Sequence, residues 1–341
     1  MEKKHLFTTV LLSLVFVCMM ISTAVSQDTS KVYNFKYYST YSPAMAMGMV
    51  ESRFVDSVRQ ATSGRVIITP YWNASLLPRQ ESWKGLLNGV YEIAQITPDN
   101  HPGEFPVLDI VHLPFFFGDA YETNKALRAI YNKGMMPELN KIKQAGFRAT
   151  SVAMIGFTKK EVKNLEDLKG MKIRAASGEV GEIIASLGAV PVGGIVSADL
   201  YMSLNRGVVD GLISTNSYMP TQKLYEVIKY VVDAPFYTGS HIMVMNMNAW
   251  NSLPNDIKAI MEKEFANAEN DWLNMETEEG KKGKEVMIKN GVKYYPVSSA
   301  EIARWRQATQ GELAKYVKRL NDRGLPGQKI VDEAKAAMGS K

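Results

Sequence analysis

The sequence predicts an α/β protein built as two units, and three observations carry that reading. Residues 32–96 alternate strand and helix signals in a β-α-β-α-β order, which implies a parallel sheet with helices on its faces. A second α/β unit begins near Met171. The run from His241 to Met247 is apolar enough to be a buried strand returning to the first sheet. Two α/β units with a return crossing describe two lobes joined by more than one strand.

Each element follows from its local pattern. Val32 to Tyr38 alternates as a first strand, and Ala44 to Gln60 has helical spacing at Met45, Met49, Phe54 and Val58, closed by Ser63-Gly64. Arg65 to Tyr71 is a second strand, Arg79 to Leu87 a helix, and Tyr91 to Ile96 a third strand. Helices are expected at Ala120 to Tyr131 and Pro137 to Gln144, then a strand from Phe147 to Met154. The second unit reads as strand 171–173, helices near 179–187 and 199–205, and strands 209–213 and 229–233. Asn255 to about Asn290 has helical periodicity well beyond ordinary helix length. A strand at 292–296 and helices at 299–320 and 328–337 complete the chain.

The ends and the composition narrow the function. Lys3 and Lys4 precede a mostly apolar stretch, Leu6 to Ile21, and Ala24-Val25-Ser26 has the small-x-small form of a cleavage site. Residues 1–26 are therefore expected to be a signal peptide, with the mature, soluble protein starting at Gln27 and exported from the cytoplasm. The only cysteine, Cys18, lies inside that segment, so the mature chain can form no disulfide, thiolate metal site or cysteine nucleophile. A net charge of +5 over 341 residues, with no basic block, does not point to nucleic acid. No P-loop, Gly-x-Gly-x-x-Gly or Gly-x-Ser-x-Gly sequence is present. His101, Glu104, Asp109 and His112 do not have the spacing of a helical metal pair, so neither a metal site nor a cofactor is expected.

Residues 165–213 are the most informative stretch. A polar turn ending at Gly170 feeds a short strand, and Arg174 stands at its carboxyl end, where open α/β sheets bind ligands. A guanidinium there offers a planar fork suited to a carboxylate, although a surface salt bridge would use the same residue. Three runs follow one another here: Asp167 to Arg174, Gly188 to Pro191 and Tyr201 to Gly211. In this order and at these distances they resemble the periplasmic solute-binding proteins of tripartite ATP-independent periplasmic (TRAP) transporters, the DctP-type family.

The resemblance implies a two-lobed periplasmic binding protein fold with a long helix spanning both lobes, closing on its ligand by hinge motion. It implies a protein, not an enzyme, that captures a small organic acid and delivers it to the small and large membrane subunits of a permease driven by an ion gradient. The expected division is residues 27–151 plus 240–279 in the first lobe and 152–239 plus 280–341 in the second. In the family the arginine matching Arg174 holds the ligand carboxylate. Many members place a polar contact at the position of Ser214, whereas the amide here falls at Asn216; Ser214, Asn216 and Tyr218 are all candidates. Sialic-acid-binding members place a carboxylate contact at the position of Thr97 and a second arginine near Met154. The threonine argues against that sugar acid, and the missing second arginine implies a less charged pocket and, with the aromatics, a monocarboxylate. Tyr38, Trp72, Asn73, Phe115 and His241 complete the candidate contacts; for the aromatics and the histidine, core burial is the competing reading. The aromatics at strand ends favour an aromatic or branched acid. The alternatives are a secreted α/β enzyme acting on a small acid, or a ligand-binding sensor module docking on a receptor.

Overall fold

A computed structural model describes residues 31–339; the expected signal peptide lies outside these residues. The first sheet contains β1 (Tyr33–Tyr38), β2 (Val66–Tyr71), β3 (Ile93–Ile96), β4 (Ile142–Ala149) and, from much later in the chain, the strand Ser240–Asn246. The second sheet contains β5 (Ala153–Phe157), β6 (Lys172–Arg174), β7 (Val190–Val192), β8 (Gly211–Thr215), β9 (Tyr230–Val232) and β11 (Lys293–Tyr295), so the strand 240–246 is β10. The orders are β2-β1-β3-β10-β4 and β11-β9-β5-β8-β6-β7. Each sheet is parallel except around one strand: β10 runs antiparallel to β3 and β4, and β5 antiparallel to β8 and β9.

Those two strands are where the chain changes lobe. β4 passes into β5 through Thr150–Val152, and the chain comes back from β9 to β10 through residues 233–239. The two connectors are bonded to each other: Thr150 N–H donates to the Gly239 carbonyl at 2.9 Å, and Ala153 N–H to the Tyr237 carbonyl at 2.7 Å. The third crossing is the helix Asn255–Lys289, 35 residues and so about 50 Å long. Ile257, Met261 and Phe265 sit in the first lobe's core, and Met287 packs with Val231 and Val292 of the second.

Local chemistry sets the helix starts. Asp119 accepts from Glu122 N–H at 2.8 Å at the head of helix Ala120–Asn132, and Ser298 accepts from Glu301 N–H at 3.2 Å at the head of helix Ser299–Ala308. Apolar residues at helical spacing (Val50, Phe54 and Val58) bury one face of helix Ala46–Ala61.

Four expectations need correction. The helix anticipated at 137–144 is a 3-10 turn, Pro137–Leu139, followed by β4. Nearly every residue of β4 is buried, because helices 120–132 and 255–289 both pack on it, and burial on both faces erases the strand's alternating pattern. The single strand anticipated at 147–154 is two strands separated at the lobe crossing. The helix anticipated at 299–320 breaks at Thr309, whose hydroxyl turns back to the Trp305 carbonyl. That break also redraws the lobes. Tyr316, Leu320, Ile330, Val331 and Ala334 join the first lobe's core, and Tyr316 OH donates to the Val107 carbonyl at 2.9 Å. Residues 310–338 therefore belong to the first lobe, not the second.

Candidate functional site

A cleft of about 280 Å³ lies between the lobes. Lobe one contributes Tyr41, Arg79, Thr97, Asp99 and His241; lobe two contributes Arg174, Ser214, Thr215 and Tyr218; Tyr237 lines it from the connector. Arg174 closes β6, beside β8, which ends in Ser214 and Thr215. Its Nε and Nη2 donate to the Ile195 carbonyl at 3.3 and 3.1 Å. Among the described residues it has no acidic partner within salt-bridge distance.

Around His241 the first-lobe wall is a neutral polar network on aromatic backing. His241 packs edge-on against Trp272 at 5.5 Å, and its ring nitrogens meet the Tyr41 and Thr97 hydroxyls, each at 3.1 Å. Burial lowers the imidazole to about 4, so the ring is neutral and donates to one hydroxyl while accepting from the other. Asp99 stands 3.5 Å from His112 Nε2. Burial raises the carboxyl, but the charge and hydrogen bond of His112, with His241 and Arg174, together hold Asp99 below its ordinary value; Asp99 in turn lifts the buried imidazole. His112 packs edge-on against Tyr237.

Glu276 of the long helix ties the hinge to the second lobe. It accepts from Ser151 N–H at 3.0 Å and from Ser217 Oγ at 3.1 Å. Burial pushes its carboxyl up. Behind the first-lobe wall, Arg148 and Glu51 form a fully buried pair at 2.9 Å, with Ser39 Oγ donating to the same carboxylate.

Of the candidate residues, the cleft brings together Arg174, Ser214, Tyr218, Thr97 and His241. The other five lie elsewhere. Asn216 is buried behind the cleft, where its Oδ1 accepts from Tyr294 OH at 2.7 Å. Tyr38 is a core residue stacked on Tyr91, with its hydroxyl donating to the Leu77 carbonyl. Trp72 and Asn73 form a turn: Asn73 takes a positive φ, and its N–H donates to the Tyr41 carbonyl. Phe115 packs on Phe236 at a separate cavity. Sequence reasoning missed Arg79, Asp99, His112 and Tyr237 as cleft residues. They sit in turns and connectors, where no periodicity marks a side chain's direction.

The family model for bacterial extracellular solute-binding protein, family 7 (DctP) matches residues 41–319. The chain belongs to this family. Its members are solute-binding proteins and not enzymes. This DctP-type protein is 25% identical over 279 residues to the C4-dicarboxylate-binding periplasmic protein DctP of Rhodobacter capsulatus, covering 80% of this chain and 83% of that one. In structure it is similar to a marine metagenome TRAP solute binding protein specific for aromatic acid ligands, at a TM-score of 0.83 and 24% identity, covering 90% of this chain and 98% of the other. A TRAP solute binding protein from Rhodoferax ferrireducens T118, in complex with copurified benzoate, gives a TM-score of 0.82 at 20% identity, over 90% and 98% of the two chains. These likenesses establish the two-lobed TRAP solute-binding fold. No helix among the described residues is long and apolar enough to cross a membrane.

Proposed function

We propose that this protein captures a small organic monocarboxylate with an aromatic or branched body in the inter-lobe cleft. Arg174 pairs with the carboxylate, and Ser214, Tyr218, Thr97 and His241 surround the ligand. The exported protein then delivers it to the small and large subunits of a TRAP permease in the membrane. The observation that carries this reading is Arg174 itself: a guanidinium in the cleft, tied only to a backbone carbonyl and facing no acid within 4 Å among the described residues.

Three further features support it. The cleft's volume of about 280 Å³ is small, and Tyr41, Tyr218, Tyr237 and Ile213 give it an apolar wall for an acid's body. His241 is neutral, so it orients the ligand by hydrogen bonding without adding charge. The lobes meet through two paired connectors and one helix, the arrangement that hinge closure needs. Closure excludes water and strengthens the pairing of Arg174 with an anion. Arg79, donating to the Thr40 carbonyl at 3.1 Å, adds a second cation on the opposite wall.

The test is a thermal-shift screen of protein beginning at Gln27 against aromatic and branched acids, each beside its amide, and against dicarboxylates. A ligand bound only by the folded state raises Tm by mass action. The reading requires shifts with monocarboxylates and none with the amides. Equal shifts for acid and amide would remove the carboxylate from the recognition.

A further inference from the structure

We infer that the protein carries a second site, for a small aromatic anion, in a groove remote from Arg174. The groove has a volume of about 600 Å³, within the usual range for small-molecule pockets. Its walls are the run Phe115 to Phe117, Pro235 and Met338, and two cations stand at it, Arg306 and Lys335. Among the described residues neither cation has an acidic partner within salt-bridge distance. An aromatic floor beside two cations that lack acidic partners is complementary to a ligand with an aromatic body and an acidic head.

Phe115 gives independent evidence that the groove is built. It holds a positive φ of 56°, strained for a bulky side chain, and the structure fixes it there from two directions. Its N–H donates to the Phe236 carbonyl at 2.6 Å. The Arg306 guanidinium lies 5.1 Å from its ring centroid and donates to its carbonyl at 3.3 Å. The strained residue thus turns the aromatic run and Arg306 toward one space. The groove also joins the lobes, since Arg306 belongs to helix Ser299–Ala308 on the second lobe and Lys335 to helix Gly327–Met338 on the first.

The test titrates the protein with anilinonaphthalene sulfonate, an aromatic anion whose fluorescence reports binding, and with the uncharged phenylnaphthylamine. Three forms are compared: wild type, Arg306→Ala/Lys335→Ala and Arg174→Ala. Both groove side chains are exposed, so the double variant should fold, and its Tm checks this. The inference expects saturable binding of the sulfonate to wild type and to Arg174→Ala. In the double variant it expects binding weaker by about 10-fold or more, the loss of charge-assisted hydrogen bonds. The amine should bind poorly to all three. The inference is overturned by sulfonate binding that the double variant retains, that Arg174→Ala abolishes, that is absent from wild type, or that the uncharged amine matches.

Discussion

Arg174 and Ile195 are joined by two hydrogen bonds, from Nε and Nη2 to one carbonyl at 3.3 and 3.1 Å. Ile195 belongs to the loop between β7 and helix Ser197–Asn205, not to the sheet that carries the arginine. The orientation of the guanidinium therefore depends on that loop, and the loop depends on Gly194, which holds a φ of 78°. Gly194→Ala should cost about 1–2 kcal/mol of backbone strain, relieved by displacing the Ile195 carbonyl. The expected result, measured by calorimetric titration, is a several-fold loss of acid affinity with little change in the circular dichroism spectrum.

The long helix bears on the second lobe at Gly283. A Cβ there would lie 1.9 Å from the Asn216 carbonyl oxygen, so the helix and the segment after β8 touch through bare backbone. Gly283→Ala must push residues 214–218 aside. Overpacking of this kind costs about 1–3 kcal/mol. Urea unfolding should show that loss, and ligand affinity should fall with it, because Ser214 and Tyr218 move.

Glu51 and Arg148 are both fully buried, with the guanidinium also lying over Trp272 at 5.0 Å. Removing either charge leaves the other without its partner, at a cost of about 3–5 kcal/mol. Glu51→Gln should therefore destabilise strongly in denaturant melts. Glu51→Leu/Arg148→Met should recover most of the loss, since no unpaired charge remains.

His241 makes stability depend on pH in a defined direction. Its folded value, about 4, lies below the ordinary 6.5. Between these values the unfolded chain binds the extra proton, so this contribution is fully present above about 6.5 and is lost as pH falls toward 4. His241→Asn should flatten that part of the profile. The difference between wild-type and variant unfolding free energy should change by about 2 kcal/mol between neutral and mildly acid pH. Asp109, raised to about 7 mainly by burial, acts with the opposite sign, so the comparison must be between variants and not of the wild-type profile alone.

The sequence was legible where a residue's role is set by neighbours along the chain. Arg174 could be placed because a strand end and three ordered motifs fix it. The return strand 240–246 and the helix 255–289 were readable from apolar runs and sustained periodicity. What failed depends on contacts distant in sequence. Tyr38 and Arg79 illustrate this: the strand-end tyrosine turns into the core onto Tyr91, while the arginine after Pro78 reaches the cleft. Nothing in either residue's local spacing records that difference. The helices after Thr309 read as second-lobe elements for the same reason, because only the break at Thr309 and the burial of Tyr316 return them to the first.

The central claim is that Arg174 recognises a carboxylate. Its most direct test is calorimetric titration of wild type, Arg174→Lys and Arg174→Ala with an acid selected by thermal shift. Truncating one member of a buried charge pair costs about 2–5 kcal/mol, which corresponds to roughly 30-fold to several-thousand-fold in Kd. Arg174→Ala should weaken binding by that much, and Arg174→Lys should fall between, keeping the charge but losing the planar fork. Wild-type affinity in Arg174→Ala would contradict the account.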